Sequence, residues 1–298
     1  MKYAFIAGQS GSYPIEVLCR ALEVSPSGYA HWRATGRIKR SAGGRLSDDH
    51  LLTLIRAIHA KTRGAYGSPR IFDELKDEGH RVSKTRVERL MRVNGIRARH
   101  KRRFKATTDS RHTLPVAPNV LNRQFSPIAP NMSWVADITY IATGEGWLYL
   151  AVVLDLYDRS VVGWSIKPRM TTDIVTDALS MAWCRRKPGK GLVHHSDRGS
   201  QYASERLRAK LQEFGMVCSM SRKANCWDNA VAESFFNSLK NERVHGQHYG
   251  TRDHARADLF DYIEAFYNRS RRHSTLGGKS PASAYEAWLQ RHQAPLAA

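Results

Sequence analysis

Three acidic residues in this chain sit where their neighbours make them conspicuous. Residues 134–141 read Trp-Val-Ala-Asp-Ile-Thr-Tyr-Ile, a β-branched and aromatic run interrupted by Asp137. Aspartate is disfavoured in strands, and alternation puts it on the face that carries Val135, Thr139 and Ile141. Asp197 lies in His194-His195-Ser196-Asp197-Arg198-Gly199-Ser200, where a short strand gives way to a glycine-containing loop. Such strand ends are where open α/β sheets bind ligands. Glu233 falls in a helical stretch with Val231, Phe235, Phe236 and Leu239 as its apolar stripe, and Asn229, Glu233, Asn237 and Lys240 recur on its polar face. Three carboxylates from three elements can converge at one sheet edge and offer shared oxygens to two divalent cations about 4 Å apart. Hard oxygen ligands suit Mg²⁺, with Mn²⁺ as a possible substitute. The chemistry of such a set is phosphoryl transfer without a covalent protein nucleophile.

Neighbouring polar residues have plainer readings. Asp155, on the second strand, could approach the metals, but its place before Tyr157-Asp158-Arg159 equally suits a turn-side hydrogen bond, the role favoured here. His194 and His195 alternate across a strand, so only one can face the site; His195, in register with Asp197, either orients substrate or is a satisfied buried histidine. Asn237 and Lys240, on the face of Glu233, are candidate DNA contacts.

The elements that must position these groups follow from periodicity. Residues 134–141 and 147–156 flank Gly144-Glu145-Gly146 as a hairpin, and Asp158-Arg159 turns the chain into a third strand at 160–166. A helix begins at Thr171-Thr172-Asp173, and the strand at 192–195 follows it, so that strand can lie parallel to an earlier one. The fold class is α/β, a mixed sheet core preceded by a small all-α region. Before it, Leu51, Leu54, Ile55 and Ile58, then Ile71, Phe72 and Leu75, then Val87, Leu90 and Met91 make three helices, with Ser68-Pro69 and Ser83 as start signals. This is the outline of a helix-turn-helix whose last helix carries Lys84, Arg86, Arg89 and Arg92. A shorter helical candidate spans 15–32. The expected organisation is an N-terminal helical segment over 1–47, a helix-turn-helix domain with a basic tail over 48–105, a Pro-rich linker over 106–130 and the core over 131–298.

Charge supports this division. The 298 residues carry a net +20, and residues 1–126 hold 25 Lys and Arg against 10 Asp and Glu. The densest run, residues 97–105, includes Arg99, Lys101, Arg102 and Arg103, which are placed to track phosphates. Prolines 115, 118, 127 and 130 mark an extended arm or linker. No apolar stretch approaches the length of a membrane span, and no signal peptide is apparent. Cys19, Cys184, Cys218 and Cys226 lack zinc-ligand spacing and read as reduced, buried residues of a cytosolic protein.

The segments 134–140, 194–202 and 228–236 closely resemble the catalytic core of bacterial insertion-sequence transposases of the IS-three type, whose core is similar to retroviral integrase. The resemblance implies a ribonuclease-H-like fold, with Asp137, Asp197 and Glu233 as an Asp-Asp-Glu metal-binding triad. The thirty-five residues between Asp197 and Glu233 match the family's spacing. Residues 267–277 resemble the family's tail, which makes Arg271 and Arg272 candidate grips on DNA ends. The implied activity is Mg²⁺-dependent cleavage at the element's terminal inverted repeats and strand transfer into target DNA. Further implications are at least a dimer in the synaptic complex and a cytoplasmic, nucleoid-associated location in a bacterium. This chain resembles a second-reading-frame product, so an upstream-frame product or fusion partner is expected. The alternatives are a non-catalytic DNA-binding regulator and a ribonuclease-H-like structure-selective nuclease.

Overall fold

The computed structural model describes residues 2–11, 13–35, 46–99, 114–223 and 225–292. Lys101, Arg102 and Arg103 lie outside them. Helices α1 (Lys2–Gln9), α2 (Ile15–Ala21) and α3 (Pro26–Thr35) pack around Ile6, Cys19 and Tyr29 as a small unit with its own core. Next come α4 (Asp48–Lys61), α5 (Ser68–Asp77) and α6 (Lys84–Val93), which enclose Leu51, Ile55, Ile71, Leu75, Val87 and Met91. The Ser83 hydroxyl accepts from the Arg86 amide and caps α6. The N-cap of α5 is Gly67 rather than Ser68, one residue earlier than its sequence signal implied.

The core begins with β1 (Ser133–Thr143), β2 (Gly146–Asp155) and β3 (Val161–Lys167), the expected antiparallel meander. Gly146, at φ +99°, supplies the left-handed turn between the first two. Then follow α7 (Thr172–Arg186), β4 (Val193–Ser196), α8 (Glu205–Glu213) and β5 (Val217–Met220). The sheet order is β3-β2-β1-β4-β5, with β4 parallel to both β1 and β5. One face packs α7 and α8 over Trp134, Ala136, Ala151 and Val153. Gly163 makes that approach possible, because a Cβ there would collide with the Ala178 carbonyl oxygen and lie 2.6 Å from the Ala182 nitrogen of α7. The other face, with Val135, Ile141, Leu150 and Val152, is covered by α9 (Ala230–Leu239) and by α10 (Arg252–Phe260). Both helices continue as π-helical turns, Lys240–Val244 and Asp261–Tyr267, before α11 (Pro281–His292).

The proline-containing segment is an extended arm strapped to the core. Val120 and Leu121 amides donate to the Ser219 hydroxyl on β5, at 2.9 and 3.1 Å, and Leu121 is buried. Asn119 and Arg123 both donate to the buried Asp228 carboxylate, which also receives the Arg222 amide and guanidinium. Those bonds hold its pKa far below the usual carboxylate range. Cys19 is buried and Cys218 partly so, but Cys184 is exposed, contrary to the expectation of burial; all three are free. Among the described residues no helix is long and apolar enough to cross a membrane.

Candidate active site

The parallel pairing of β1 with β4 ends at Ala136 opposite Ser196. The next residue on each strand is an aspartate, so Asp137 and Asp197 emerge side by side where the two strands part. Asp137 lies on the face covered by α9, as alternation implied. One of its oxygens accepts from the Ile138 amide at 2.8 Å, and Asp197 accepts from the Gly199 amide at 3.0 Å. Burial and the neighbouring Asp197 charge push the pKa of Asp137 well above the carboxylate range, with a smaller contribution from Glu233, while Lys240 opposes the shift. The third carboxylate is therefore within electrostatic reach, although its side chain is exposed. Partial burial of its carboxyl end raises its pKa. Among the described residues, no three His, Cys, Asp or Glu side chains are drawn together as a metal-binding cluster in this arrangement. The aspartate pair is gathered and Glu233 stands back from it on the neighbouring helix.

The third motif also contains residues whose role the sequence did not disclose. Asn229 donates to the Ala136 carbonyl at 3.2 Å, which ties the start of α9 to the strand position just before Asp137. Asp228 anchors the arm, as described above. The sequence had placed Asn229 only on the polar face it shares with Glu233 and had given Asp228 no role of its own. Lys240 is buried, with its ammonium 5.0 Å from the centre of the Tyr140 ring, and Asn237 accepts from Asn241 at 2.8 Å. Lys240 thus belongs to the surroundings of Asp137.

His195 is a satisfied buried histidine. Its ring nitrogens lie 2.8 Å from the Ser219 hydroxyl and 3.2 Å from that of Ser221. Burial lowers the pKa values of His194 and His195 to about 4, from an ordinary value near 6.5. The unfolded chain therefore binds more protons between those values, and their contribution to stability is lost as pH falls from 6.5 towards 4. Buried Asp155, raised to about 6, and Asp137, raised well above its ordinary value, contribute with the opposite sign, while His273, lowered to about 3, adds to the two histidines. Urea unfolding is expected to show lower stability at pH 5 than at pH 7, by up to about 1.4 kcal/mol per pH unit for each histidine. Substituting His195 should flatten the slope. Asp155 shapes the turn, accepting from the Asn131 and Tyr157 amides and the Trp134 indole.

Several predicted DNA contacts have other partners. Arg86 and Arg89 both bind Asp48 at the start of α4 and so brace α6 against that helix. Lys84 and Arg92 are exposed. Arg271 is 5% exposed and its guanidinium forms two 2.7 Å bonds to Glu242. Arg272 donates to Glu74 and Asp77 of α5 at 2.7 and 2.6 Å. Arg70 also pairs with Glu242, Arg63 with Asp258 and Asp261, and Arg99 with the Glu242 carbonyl. Arg272 and Arg70 therefore dock the helix-turn-helix unit onto the C-terminal part of the core, while Arg271 holds Glu242 from within the core; the sequence showed their charge but not these carboxylate partners.

A five-stranded mixed sheet with paired aspartates at the end of its central parallel strands defines an integrase-type, ribonuclease-H-like core. Family models agree: an integrase core domain matches residues 127–226 and a second such model 233–287, while an HTH-like domain matches 47–104. The uncharacterised 31 kDa protein of insertion element IS600 from Shigella sonnei is 45% identical over 92% of this chain and 99% of its own length. Transposase InsF for insertion sequence IS3A from Escherichia coli is 43% identical over 94% and 97%. The catalytic core domain of BIV integrase aligns with 55% of this chain and 99% of its own at 19% identity and a TM-score of 0.41. The chain belongs to the IS3-type insertion-sequence transposases, DNA transposases of the Asp-Asp-Glu class.

Proposed function

We propose that Asp137, Asp197 and Glu233 carry the transposition chemistry, and that the α4–α6 unit with the basic segment after it holds element ends. The observation that carries this reading is the emergence of Asp137 and Asp197 together where β1 and β4 part. Burial and, after it, the adjacent Asp197 charge raise the pKa of Asp137, an environment that suits a divalent cation beside the pair. All three residues offer hard oxygen ligands, which favours Mg²⁺, with Mn²⁺ able to substitute. Bound there, the ion would supply Lewis-acid stabilisation of charge on the phosphodiester oxygens. Asp137 and Asp197 are held by the Ile138 and Gly199 amides, and Glu233 completes the set from α9. Attack of water on the phosphodiester at the element's end frees a 3′-hydroxyl, which then attacks a target phosphodiester in line at the same carboxylates.

DNA partners are the terminal inverted repeats and the target duplex. Bringing two ends together requires at least a dimer, and the upstream-frame product or its fusion is the expected companion. The large positive charge suits association with nucleoid DNA in the bacterial cytoplasm. A strand-transfer assay with labelled terminal repeats tests the reading. Joined products are expected; hydrolysis without joining would leave a structure-selective nuclease, and DNA binding without either would leave a regulator.

A further inference from the structure

Beside the aspartate pair lies a cleft of about 450 Å³ whose wall is aromatic. Tyr140 and Tyr149 are cross-strand partners, as are Ala142 and Trp147, so Tyr140, Tyr149 and Trp147 share one face of the β1–β2 hairpin. Trp147 is 50% exposed and Met170, which also lines the cleft, 45%. The Trp147 and Tyr140 rings meet edge to face with centroids 4.9 Å apart, which fixes the tryptophan's orientation before any ligand arrives. The Gln201 amide holds the Met170 carbonyl at 3.1 Å and steadies that residue. A half-exposed tryptophan in the wall of a concave site leaves apolar area in water that a flat ligand would cover.

A second, independent feature points to a ligand. Tyr202 lines the same cleft and is 2% exposed, and its buried hydroxyl has no hydrogen-bond partner among the described residues. A buried unpaired hydroxyl is costly and calls for a polar partner. The hydroxyl lies within the electrostatic reach of both Asp137 and Asp197, so the group that satisfies it sits next to the phosphodiester position.

We propose that this cleft receives one unpaired nucleobase of the DNA strand being cut, stacked on Trp147 with Tyr140 behind it and within reach of the Tyr202 hydroxyl. The inference rests on the reading of the aspartates as the site of phosphoryl transfer. A base has the flat π-face that aromatic walls bind irrespective of sequence, whereas a base still paired within a duplex cannot present it. Rise along β1 puts Tyr140, three residues beyond Asp137, about 10 Å from it, which assigns the base to a neighbouring nucleotide. Extruding it would open the end and anchor the strand in register for attack.

The test uses the full chain and duplexes carrying the terminal repeat that flanks the coding sequence, without divalent metal. 2-Aminopurine is placed in turn at each nucleotide around the cut. One position should change fluorescence on binding to the native chain and not to Trp147→Ala. Trp147→Ala should weaken binding about tenfold, and Trp147→Phe should retain most of the affinity. On a duplex that is abasic at the responsive position, the native and Trp147→Ala proteins should bind equally. Equal losses on intact and abasic DNA, or a change in self-association in place of base recognition, would overturn the proposal. Because binding is read without turnover, failure here is distinct from failure of the transposase reading, which rests on strand joining.

Discussion

Asp197→Asn, and separately Asp137→Asn, is expected to reduce both end cleavage and strand joining by on the order of 10³-fold or more while leaving DNA binding intact. Asparagine is nearly isosteric, and its side-chain oxygen can still accept the Gly199 or Ile138 amide that positions each aspartate. What disappears is the negative charge. The native pair holds that charge at a cost, because burial and the adjacent carboxylate both disfavour ionised Asp137. Removing one charge should therefore preserve or raise thermal stability. Loss of activity together with unchanged or increased stability is the pattern of a site that keeps like charges close for catalysis. Gel-shift binding, strand-transfer yield and melting temperature measured on the same preparations would show it. Unchanged cleavage and joining in Asp197→Asn would mean that the chemistry lies elsewhere.

Arg271→Ala carries the largest expected loss of stability, about 3–5 kcal/mol. Its side chain and that of Glu242 are 6% and 10% exposed, and truncation would leave a nearly buried carboxylate that also accepts from Tyr262 at 2.8 Å. Arg70 is 3.3 Å from the same carboxylate but is more exposed and does not replace a two-bond guanidinium. Urea unfolding would measure the loss. The salt dependence of DNA binding by the folded protein should not change, whereas a phosphate-binding arginine would lower the logarithmic salt slope by about 1 when removed. A reduced slope with unchanged stability would place Arg271 at the DNA interface.

How far the site could be read from sequence depended on whether local chemistry or long-range partners decide each residue's place. The meander was legible because β-branched runs alternate and the breaks at Gly144-Glu145-Gly146 and Asp158-Arg159 turn the chain. The proximity of Asp137 and Asp197 was legible because one lies on the first strand and the other directly after a later strand, and a helical crossover allows those strands to be parallel. The short β5 was missed, since four residues ending in Ser219-Met220 carry no clear periodicity. The arm's attachment was also hidden: Ser219 and Asp228 act on residues about a hundred positions away. Charge alone did not disclose intramolecular partners: Arg86 and Arg89 pair with Asp48, Arg271 with Glu242, and Arg272 with Glu74 and Asp77.

The central claim is that Asp137, Asp197 and Glu233 act as one metal-binding set on a DNA end. A crystal structure of the full chain with a terminal-repeat duplex and Mn²⁺, with the ion located by its anomalous signal, tests it most directly. Density shared between the Asp137 and Asp197 carboxylates, with Glu233 turned onto it and the terminal phosphodiester alongside, is the expected result. An ion bound away from the aspartates, or the three carboxylates held apart with DNA in place, would contradict it.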